Sequence, residues 1–324
     1  MILFIGGRQM GKKGLYVLTG FLGAGKTTFL KKVLEKNQFK AGVIQNEFGK
    51  VSIDGEILSD EKVRMVEINR GSIFCSCLKL SFVEALAEIA KEDLDFVFVE
   101  SSGWGDPSNM KEILQAVEMN APGVFDFLGT ICLIDGNNFV DQLDNSGLET
   151  IERQLKHCHL AVVTKADLLS ETEMTAVLDR VRKVNPKCQV TTSRMGETDY
   201  DFMQTDLLQY QWSEGEETTN SEETKPKTIV MKYTKAKSTQ ELLNYIKVVK
   251  KDTYRIKGFF QLSELGMCQV DVVGKKVDIK PVTENAREDH DSELVFISKI
   301  GPQIIKVLFQ TWEEMFEDQM ELKN

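Results

Sequence analysis

A glycine-rich run near the start of the chain has the residue types of a phosphate-binding loop. Residues 20–28 read GFLGAGKTT and match the pattern G-x-x-x-x-G-K-[ST] at every fixed position. Glycines let backbone N–H groups turn toward phosphate oxygens, and a following helix adds the partial positive charge of its N-terminus. Within this loop we expect Lys26 to reach the β- and γ-phosphates and the Thr27 hydroxyl to ligate Mg²⁺. The full set predicted to bind nucleotide here is Gly20, Gly23, Ala24, Gly25, Lys26, Thr27 and Thr28.

A second stretch just upstream resembles the same pattern. Residues 6–12 also read G-x-x-x-x-G-K, but Lys13 follows where a Ser or Thr hydroxyl is needed for the metal. No apolar helix follows it either. We therefore interpret residues 1–13 as an N-terminal extension or edge strand.

The segments around the loop must position it, and they alternate short apolar runs with amphipathic stretches. Near-continuous apolar strands separated by helices predict an α/β fold, a mostly parallel sheet covered by helices on both faces. In such sheets ligands bind beyond the carboxyl ends of the strands, where this loop lies. The predicted strands are 15–19, 42–46, 62–67, 96–100, 128–135, 159–164 and 188–190, and the predicted helices are 29–35, 82–91, 110–119, 148–156 and 171–184.

The length of 324 residues suits two domains. The stretch from 213 to 224 is rich in Glu and has no hydrophobic residue to bury, so we interpret it as a flexible acidic linker. Order returns at Lys227 with patterns typical of a small α+β domain. The predicted division is an extension at 1–13, a P-loop domain at 14–212, the linker at 213–226 and the α+β domain at 227–324.

Composition narrows the classes of partner. The net charge of −10 disfavours a nucleic-acid binder, which would usually be basic. No apolar run approaches 18 residues, so no membrane partner is expected. The first residues lack a secretory cleavage pattern, and six cysteines are too sparse for a disulfide scaffold. We expect a cytoplasmic protein with free thiols or a metal site.

A second nucleotide signal follows the strand predicted at 159–164. Thr164, Lys165 and Asp167 form a T-K-x-D element, a variant of the N/T-K-x-D element of GTPases. Asp167 would accept hydrogen bonds from guanine N1–H and the 2-amino group, which adenine does not supply. The Lys165 stem would pack over the base. Ser193, after the strand at 188–190, would lie beside the base.

A carboxylate ends the strand predicted at 96–100. Glu100 is placed to hold Mg²⁺, usually through water, because that strand neighbours the phosphate loop. Gly103 could donate its N–H to the γ-phosphate and move when that phosphate leaves. The same stretch also suits a helix-entry loop with a turn at 106–107, and both interpretations can hold together.

Together these motifs resemble the CobW-type GTPases, relatives of the urease and hydrogenase maturation GTPases. The resemblance covers roughly residues 15–320. It implies a cytosolic GTPase that uses GTP and Mg²⁺ and couples nucleotide state to delivery of a metal ion or metal-bearing cofactor to a client protein. Relatives often pair when loaded, so a homodimer is a further expectation. The matching stretches are 20–28, 46–49, 53–55, 100–103, 106–107, 255–259 and 293–297.

The metal signature of the family is altered here. Relatives carry G-C-x-C-C after a Glu, whereas this chain has Ser72 and Phe74 at two of those cysteines and keeps Cys75, with Cys77 as an extra thiol. Two thiolates one residue apart can ligate Zn²⁺ or Co²⁺, but Zn²⁺ takes four ligands. Glu47, Glu67 or the client would supply the others, and Glu47 is also a candidate for the Mg²⁺ shell. The alternative is that both thiols are structural.

The resulting hypothesis is a GTPase whose catalytic site contains Lys26, Thr27, Glu100 and Gly103. We expect its turnover to be slow, because no arginine finger can be assigned from the sequence. Two alternatives are left open by the sequence. One is a GTPase chaperone that activates a corrinoid or other cofactor protein without binding free metal, which the altered cysteine motif favours. The other is an ATP-using small-molecule kinase on the same loop, against which Asp167 argues.

Overall fold

The computed structural model describes residues 11–36, 39–46, 63–68, 79–145, 149–218, 226–282, 292–316 and 318–323. The chain divides into two compact units, residues 1–224 and 225–324. Within the described residues, no helix is long and apolar enough to cross a membrane.

The first unit is built on a parallel sheet of seven strands within the described residues, in the order β3-β2-β4-β1-β5-β6-β7. The fold predicted from the sequence, an α/β fold with a mostly parallel sheet, is therefore confirmed. The strands are β1 (Lys13–Thr19), β2 (Ala41–Asn46), β3 (Val63–Ile68), β4 (Phe96–Glu100), β5 (Phe125–Asp135), β6 (Leu160–Thr164) and β7 (Gln189–Thr192). The helices are α1 (Lys26–Lys36), α2 (Lys79–Ile89), α3 (Met110–Asn120), α4 (Phe139–Asn145), α5 (Glu149–Lys156) and α6 (Glu171–Val184).

Strand β1 is buried on both faces, which explains its continuous apolar sequence. Successive side chains of a strand point to opposite faces of the sheet. Leu15 and Val17 pack in a core with residues of α2 and α3, such as Leu86. Tyr16 and Leu18 pack in a second core with residues of α1. Helices therefore cover both faces, and β1 lies in the middle of the sheet.

The strand register brings the ends of the strands to one edge. Leu18 of β1 and Gln45 of β2 both pair with Glu100 of β4. On the other side of β1, Asp135 of β5 pairs with Thr164 of β6. The loops that carry the predicted nucleotide residues follow these positions, so they all leave the sheet at its carboxyl edge.

The second unit is a six-stranded antiparallel sheet with two helices among the described residues, as the predicted α+β class requires. Its strand order is β11-β10-β9-β12-β8-β13. The strands are β8 (Thr228–Tyr233), β9 (Thr253–Leu262), β10 (Gly266–Val273), β11 (Lys276–Pro281), β12 (Glu293–Ser298) and β13 (Met320–Lys323). The helices are α7 (Thr239–Val249) and α8 (Ile304–Met315), and their apolar faces pack in one core around Tyr245 and Trp312.

Candidate nucleotide site

The phosphate loop has the backbone geometry that its glycines permit. Gly20, Gly23 and Gly25 have φ angles of 139°, 76° and 87°, which residues with a Cβ rarely adopt. At Gly20 a Cβ would also lie 2.3 Å from the carbonyl oxygen of Leu133. The sequence therefore needs glycine at the point where β1 turns into the loop.

Lys26 lies within the loop and is 9% exposed. Its Nζ donates hydrogen bonds to the carbonyl oxygens of Gly20, at 2.7 Å, and Phe21, at 3.3 Å. The ammonium group is thus held at the centre of the curve formed by residues 20–25. A phosphate oxygen can replace these carbonyl acceptors, and charge-assisted hydrogen bonds to phosphate are the stronger kind.

Thr27 and Glu100 are in direct contact. The Thr27 hydroxyl donates to Glu100 Oε1 at 2.7 Å, and Gln45 Nε2 donates to Glu100 Oε2 at 3.3 Å. Glu100 is 5% exposed, so its carboxylate is fixed from two sides in a nearly dry environment. A hydroxyl that donates to a carboxylate still has lone pairs for a metal, and hard oxygen ligands suit Mg²⁺. The donor set present here therefore fits the Mg²⁺ ion that such a loop uses.

The loop after β4 packs directly on the phosphate loop. A Cβ at Gly103 would lie 2.4 Å from Leu22 Cδ2 and 2.9 Å from the Leu22 nitrogen. Gln154 of α5 donates through Nε2 to the carbonyl oxygens of Gly103, at 3.3 Å, and Gly105, at 2.9 Å. Thr19 Oγ1 donates to the Gly105 oxygen as well, at 3.1 Å. Helix α5 thus positions the backbone beside the phosphate loop.

Arg153, next to Gln154, holds the end of the same loop. Its Nε donates to Asp106 Oδ2 at 2.9 Å, and its Nη2 donates to Ser108 Oγ at 2.9 Å. Asp106 is fully buried, and it also accepts a hydrogen bond from the Ser108 backbone nitrogen at 3.0 Å. Arg153 Nη1 reaches Glu216 Oε2 at 3.1 Å. The acidic residues after 213 therefore contact this site through an arginine in α5.

Thr164 ties the base-recognition strand to the phosphate loop. Its hydroxyl lies 2.9 Å from the carbonyl oxygen of Ala24 and 3.0 Å from that of Ile134, and it can donate to either. The side chain is 5% exposed. Threonine can thus link β6 to the phosphate loop without the carboxamide of an asparagine.

The residues after Thr164 form, together with Ser193, the predicted base-binding surface. Lys165 has a φ of 56°, and its Nζ donates to Asp135 Oδ2 at 2.6 Å. The Ala166 nitrogen donates to the Ser193 carbonyl oxygen at 3.2 Å, which brings the predicted base residues together. Ser193 is 1% exposed, and its Oγ has no hydrogen-bond partner among the described residues. Asp167 is exposed beside this base-binding surface.

Several predicted positions lie outside the described residues. They are Glu47, Cys75 and Cys77, together with residues 1–10, so the predicted transition-metal site at the two thiols stays a prediction. In the described part of the chain, no group of three or more His, Cys, Asp or Glu residues could hold a metal ion.

The other cysteines lie in the cores. Cys132, Cys158, Cys188 and Cys268 are free thiols and are all buried. Burial raises the pKa of the Cys158 thiol, which lies near Cys132 and Cys188.

Gln45, Asp135, Arg153 and Gln154 are site residues that were not predicted from the sequence. Gln45 is the next-to-last residue of β2 and Asp135 is the last residue of β5, and a place near the carboxyl end of a strand was a usable signal for both. Arg153 and Gln154 lie on a helix whose sequence gives no sign of its neighbours.

This geometry places the first unit in the class of P-loop nucleotide-binding proteins. The chain belongs to the CobW/HypB/UreG family, because the model of that family's nucleotide-binding domain matches residues 14–192. The model of the cobalamin synthesis protein cobW C-terminal domain matches residues 227–312. The family resemblance seen in the motifs is therefore confirmed.

Curated relatives are similar over part of their length. The zinc chaperone YjiA of Escherichia coli strain K12 is 29% identical over 193 residues, which are 58% of this chain and 59% of that protein. The zinc chaperone CobW of Pseudomonas aeruginosa is 30% identical over 200 residues, 52% of this chain and 53% of that protein. Zinc-regulated GTPase metalloprotein activator 1 of Dictyostelium discoideum is 25% identical over 222 residues, which are 57% of this chain and 46% of that protein. The chain spans about half of the length of the curated relatives it matches.

Solved structures are also similar to this chain. The Zn(II)-bound YjiA GTPase from E. coli is 20% identical, with 95% of this chain and 100% of that chain covered and a TM-score of 0.47. HypB from Helicobacter pylori in complex with nickel is 18% identical, with 65% and 92% covered and a TM-score of 0.43.

Proposed function

We propose that this chain binds and hydrolyses GTP with Mg²⁺ and couples its nucleotide state to delivery of a metal ion or metal-bearing cofactor to a client protein. The observation that carries the nucleotide part is the 2.7 Å contact between Thr27 and Glu100 beside a complete phosphate loop. A hydroxyl in the first turn of α1 and a buried carboxylate at the end of β4 are the oxygen ligands that a Mg²⁺–triphosphate complex needs.

The residues divide the work of phosphoryl transfer. Lys26 exchanges its loop carbonyls for phosphate oxygens, and the backbone N–H groups of residues 23–28 hold the phosphates. Thr27 and Glu100 would hold the metal ion, and Glu100 is itself oriented by Gln45. Bound Mg²⁺ neutralises charge on the phosphoryl oxygens. Gly103 is in contact with Leu22, and its N–H donates a hydrogen bond to the γ-phosphate. The conformation of Gly103 therefore depends on whether that phosphate is present.

Guanine is the base that we propose for this site. Asp167 is exposed and accepts hydrogen bonds, which matches the two donors on the guanine edge. The Lys165 ammonium group is held by Asp135, and we propose that its aliphatic stem packs over the base. Intrinsic hydrolysis is slow on this account, because Arg153 is engaged by Asp106 and Glu216.

The metal part of the proposal is supported by the family and by the zinc chaperones among the relatives. Zn²⁺ or Co²⁺ is the proposed cargo, and Cys75 and Cys77 are the proposed thiolate ligands. We expect segments 46–58 and 100–108 to change conformation with the γ-phosphate. The stretch 67–77 lies between them in the sequence, so nucleotide state would control whether the two thiols are available.

The test is the affinity for GTP and GDP measured with and without Zn²⁺ or Co²⁺. The wild-type chain, the Cys75→Ala/Cys77→Ala variant and the control Cys268→Ala are compared, because Cys268 is a buried core thiol. We expect metal to change the GTP affinity in the wild type and the control but not in the double variant. A metal effect that survives loss of both thiols would overturn the ligand assignment, and absence of GTP binding would overturn the whole proposal.

A further inference from the structure

The start of the predicted acidic linker is docked on the first unit. Residues 213–218, which we call the strap, form neither helix nor strand, and they lie against α5 and the loop that follows β4. The Glu216 nitrogen donates to the Ser108 carbonyl oxygen at 3.1 Å. A Cβ at Gly215 would lie 3.5 Å from the same oxygen. The backbone of the strap therefore contacts the loop directly.

The strap is also bound by side chains of α5. The Glu216 carboxylate accepts hydrogen bonds from Arg153 Nη1, at 3.1 Å, and from Lys156 Nζ. Arg153 Nη2 donates to the carbonyl oxygen of Glu217 at 2.6 Å, and the Ser213 hydroxyl donates to the Lys156 carbonyl oxygen at 3.2 Å. Hydrogen bonds between charged groups are stronger than neutral ones, so Glu216 is the main attachment point of the strap.

Arg153 binds the strap and the loop with one guanidinium group. Its Nε donates to Asp106 Oδ2 and its Nη2 donates to Ser108 Oγ, both at 2.9 Å. The Thr218 hydroxyl donates to the same Asp106 oxygen at 3.3 Å. The five N–H donors of a guanidinium are fixed in one plane, so Arg153 does not follow a displaced loop and keep its bonds to the strap. Movement of the loop therefore loosens the strap.

The same loop reaches the phosphate site three residues before Asp106. Gly103 lies between α5 and the phosphate loop. On one side Gln154 Nε2 donates to its carbonyl oxygen at 3.3 Å, and on the other a Cβ at Gly103 would meet Leu22 Cδ2 at 2.4 Å. A γ-phosphate that accepts a hydrogen bond from the Gly103 N–H pulls the loop toward the phosphate loop and away from α5. The bonds of Gln154 and Arg153 oppose that movement.

We propose that the strap is a latch on this loop, docked when GDP is bound and released when GTP is bound. The γ-phosphate and the strap compete for the position of the loop, so each weakens the binding of the other. The inference rests on the proposed GTPase function, because only a γ-phosphate distinguishes the two states. Nucleotide state would thereby reach the stretch of chain between the two units.

Hydrogen exchange of the Glu216 amide in the full chain measures docking, since that N–H is bonded to Ser108 in the docked strap. The chain is loaded with GDP or with a slowly hydrolysed GTP analogue, in both cases with Mg²⁺. We expect exchange at Glu216 to be about tenfold faster with the analogue. The Phe316 amide of the second unit, which donates to the Trp312 carbonyl oxygen at 2.8 Å, is the reference and should exchange equally in both states.

Three variants test the coupling through nucleotide affinity. Glu216→Gln removes the charge that binds α5 and should raise the ratio of GTP affinity to GDP affinity about two- to fivefold, the factor that an exposed ion pair of up to about 1 kcal/mol represents. Thr218→Val should change the ratio in the same direction. Glu214→Gln, at an exposed glutamate of the same strap, is the matched control and should leave the ratio unchanged.

Faster exchange at Glu216 with the GTP analogue, together with a raised affinity ratio in Glu216→Gln, would support the latch. Equal exchange in the two states, or the same ratio in Glu216→Gln and Glu214→Gln, would overturn the latch and leave the proposed function intact, because nucleotide binding is measured in the same samples. A wild-type chain that binds neither nucleotide would overturn the proposed function and the latch with it.

Discussion

Replacing Arg153 with alanine should destabilise the first unit by about 3 kcal/mol, because it leaves a buried carboxylate without its cation. Asp106 is fully buried and Arg153 is 12% exposed, and their contact is 2.9 Å. Removing one partner of a buried ion pair typically costs about 3–5 kcal/mol, and we take the lower end because Asp106 also accepts from the Ser108 nitrogen and from Thr218 Oγ1.

The second unit contains a matched control pair. Arg255 Nε and Nη2 donate to Asp271 at 2.9 and 3.0 Å, but Asp271 is 38% exposed. Arg255→Ala should therefore cost less than about 1 kcal/mol, as solvent-exposed ion pairs do. The two variants remove the same chemical group and differ in the burial of the carboxylate that is left behind.

Differential scanning calorimetry on the full chain measures both effects. For a unit of this size, a loss of about 3 kcal/mol lowers the midpoint temperature by about 6–12 °C. In the double variant Arg153→Ala/Asp106→Asn the buried charge is gone, so part of the loss should be recovered. If Arg153→Ala costs no more than Arg255→Ala, or if Asp106→Asn gives no recovery, the buried carboxylate is not the cause and the reasoning is refuted.

Other predictions concern the site and its pH dependence. Gln45→Leu removes a donor from Glu100 and should lower GTP hydrolysis about fivefold at limiting Mg²⁺, with rescue by added Mg²⁺ in a steady-state assay. Gly103→Ala places a Cβ 2.4 Å from Leu22 Cδ2, so the loop must shift and hydrolysis should fall about a hundredfold, while unchanged turnover would argue against the contact. Below its unfolded pKa near 6.5, His159 is protonated in the unfolded chain but stays neutral in the folded one down to about 4. The free energy of unfolding should therefore be unaffected by His159 above pH 6.5 and should fall as the pH drops from 6.5 to about 4, by up to about 1.4 kcal/mol per pH unit. Urea unfolding measures this slope, and His159→Gln should remove it.

The bounds of helices and strands could be predicted from the sequence where a segment is buried along its whole length or along one whole face. Strand β4 and helix α6 have the predicted bounds, because one is an apolar run and the other is an amphipathic helix that begins at a capping box on Ser170 and Glu173. In the second unit the sequence predicts strands at 228–233, 258–262, 267–273 and 293–297, but not β11 or β13. Both lie at the edges of the second sheet, where a strand buries little of its surface and carries charged residues.

The site was predictable where the motif is local and not where partners are distant in sequence. Thr27 and Glu100 follow from motifs, but their link through Gln45 depends on the adjacency of β2 and β4. The glutamates after residue 213 were interpreted as a flexible, solvated stretch, whereas Glu216 pairs with Arg153, 63 residues away. No local pattern indicates such a partner. Helix α4 is short and polar, which explains why it was not predicted.

The most direct test of the nucleotide assignment is isothermal calorimetry of GTP and ATP binding in the presence of Mg²⁺. The wild-type chain should bind GTP about a hundredfold more tightly than ATP, because adenine leaves the Asp167 carboxylate without its donors. Lys26→Ala should weaken both nucleotides, and Asp167→Asn should remove the preference while keeping phosphate binding. Equal affinity of the wild type for GTP and ATP, or binding that does not depend on Lys26, would contradict the account.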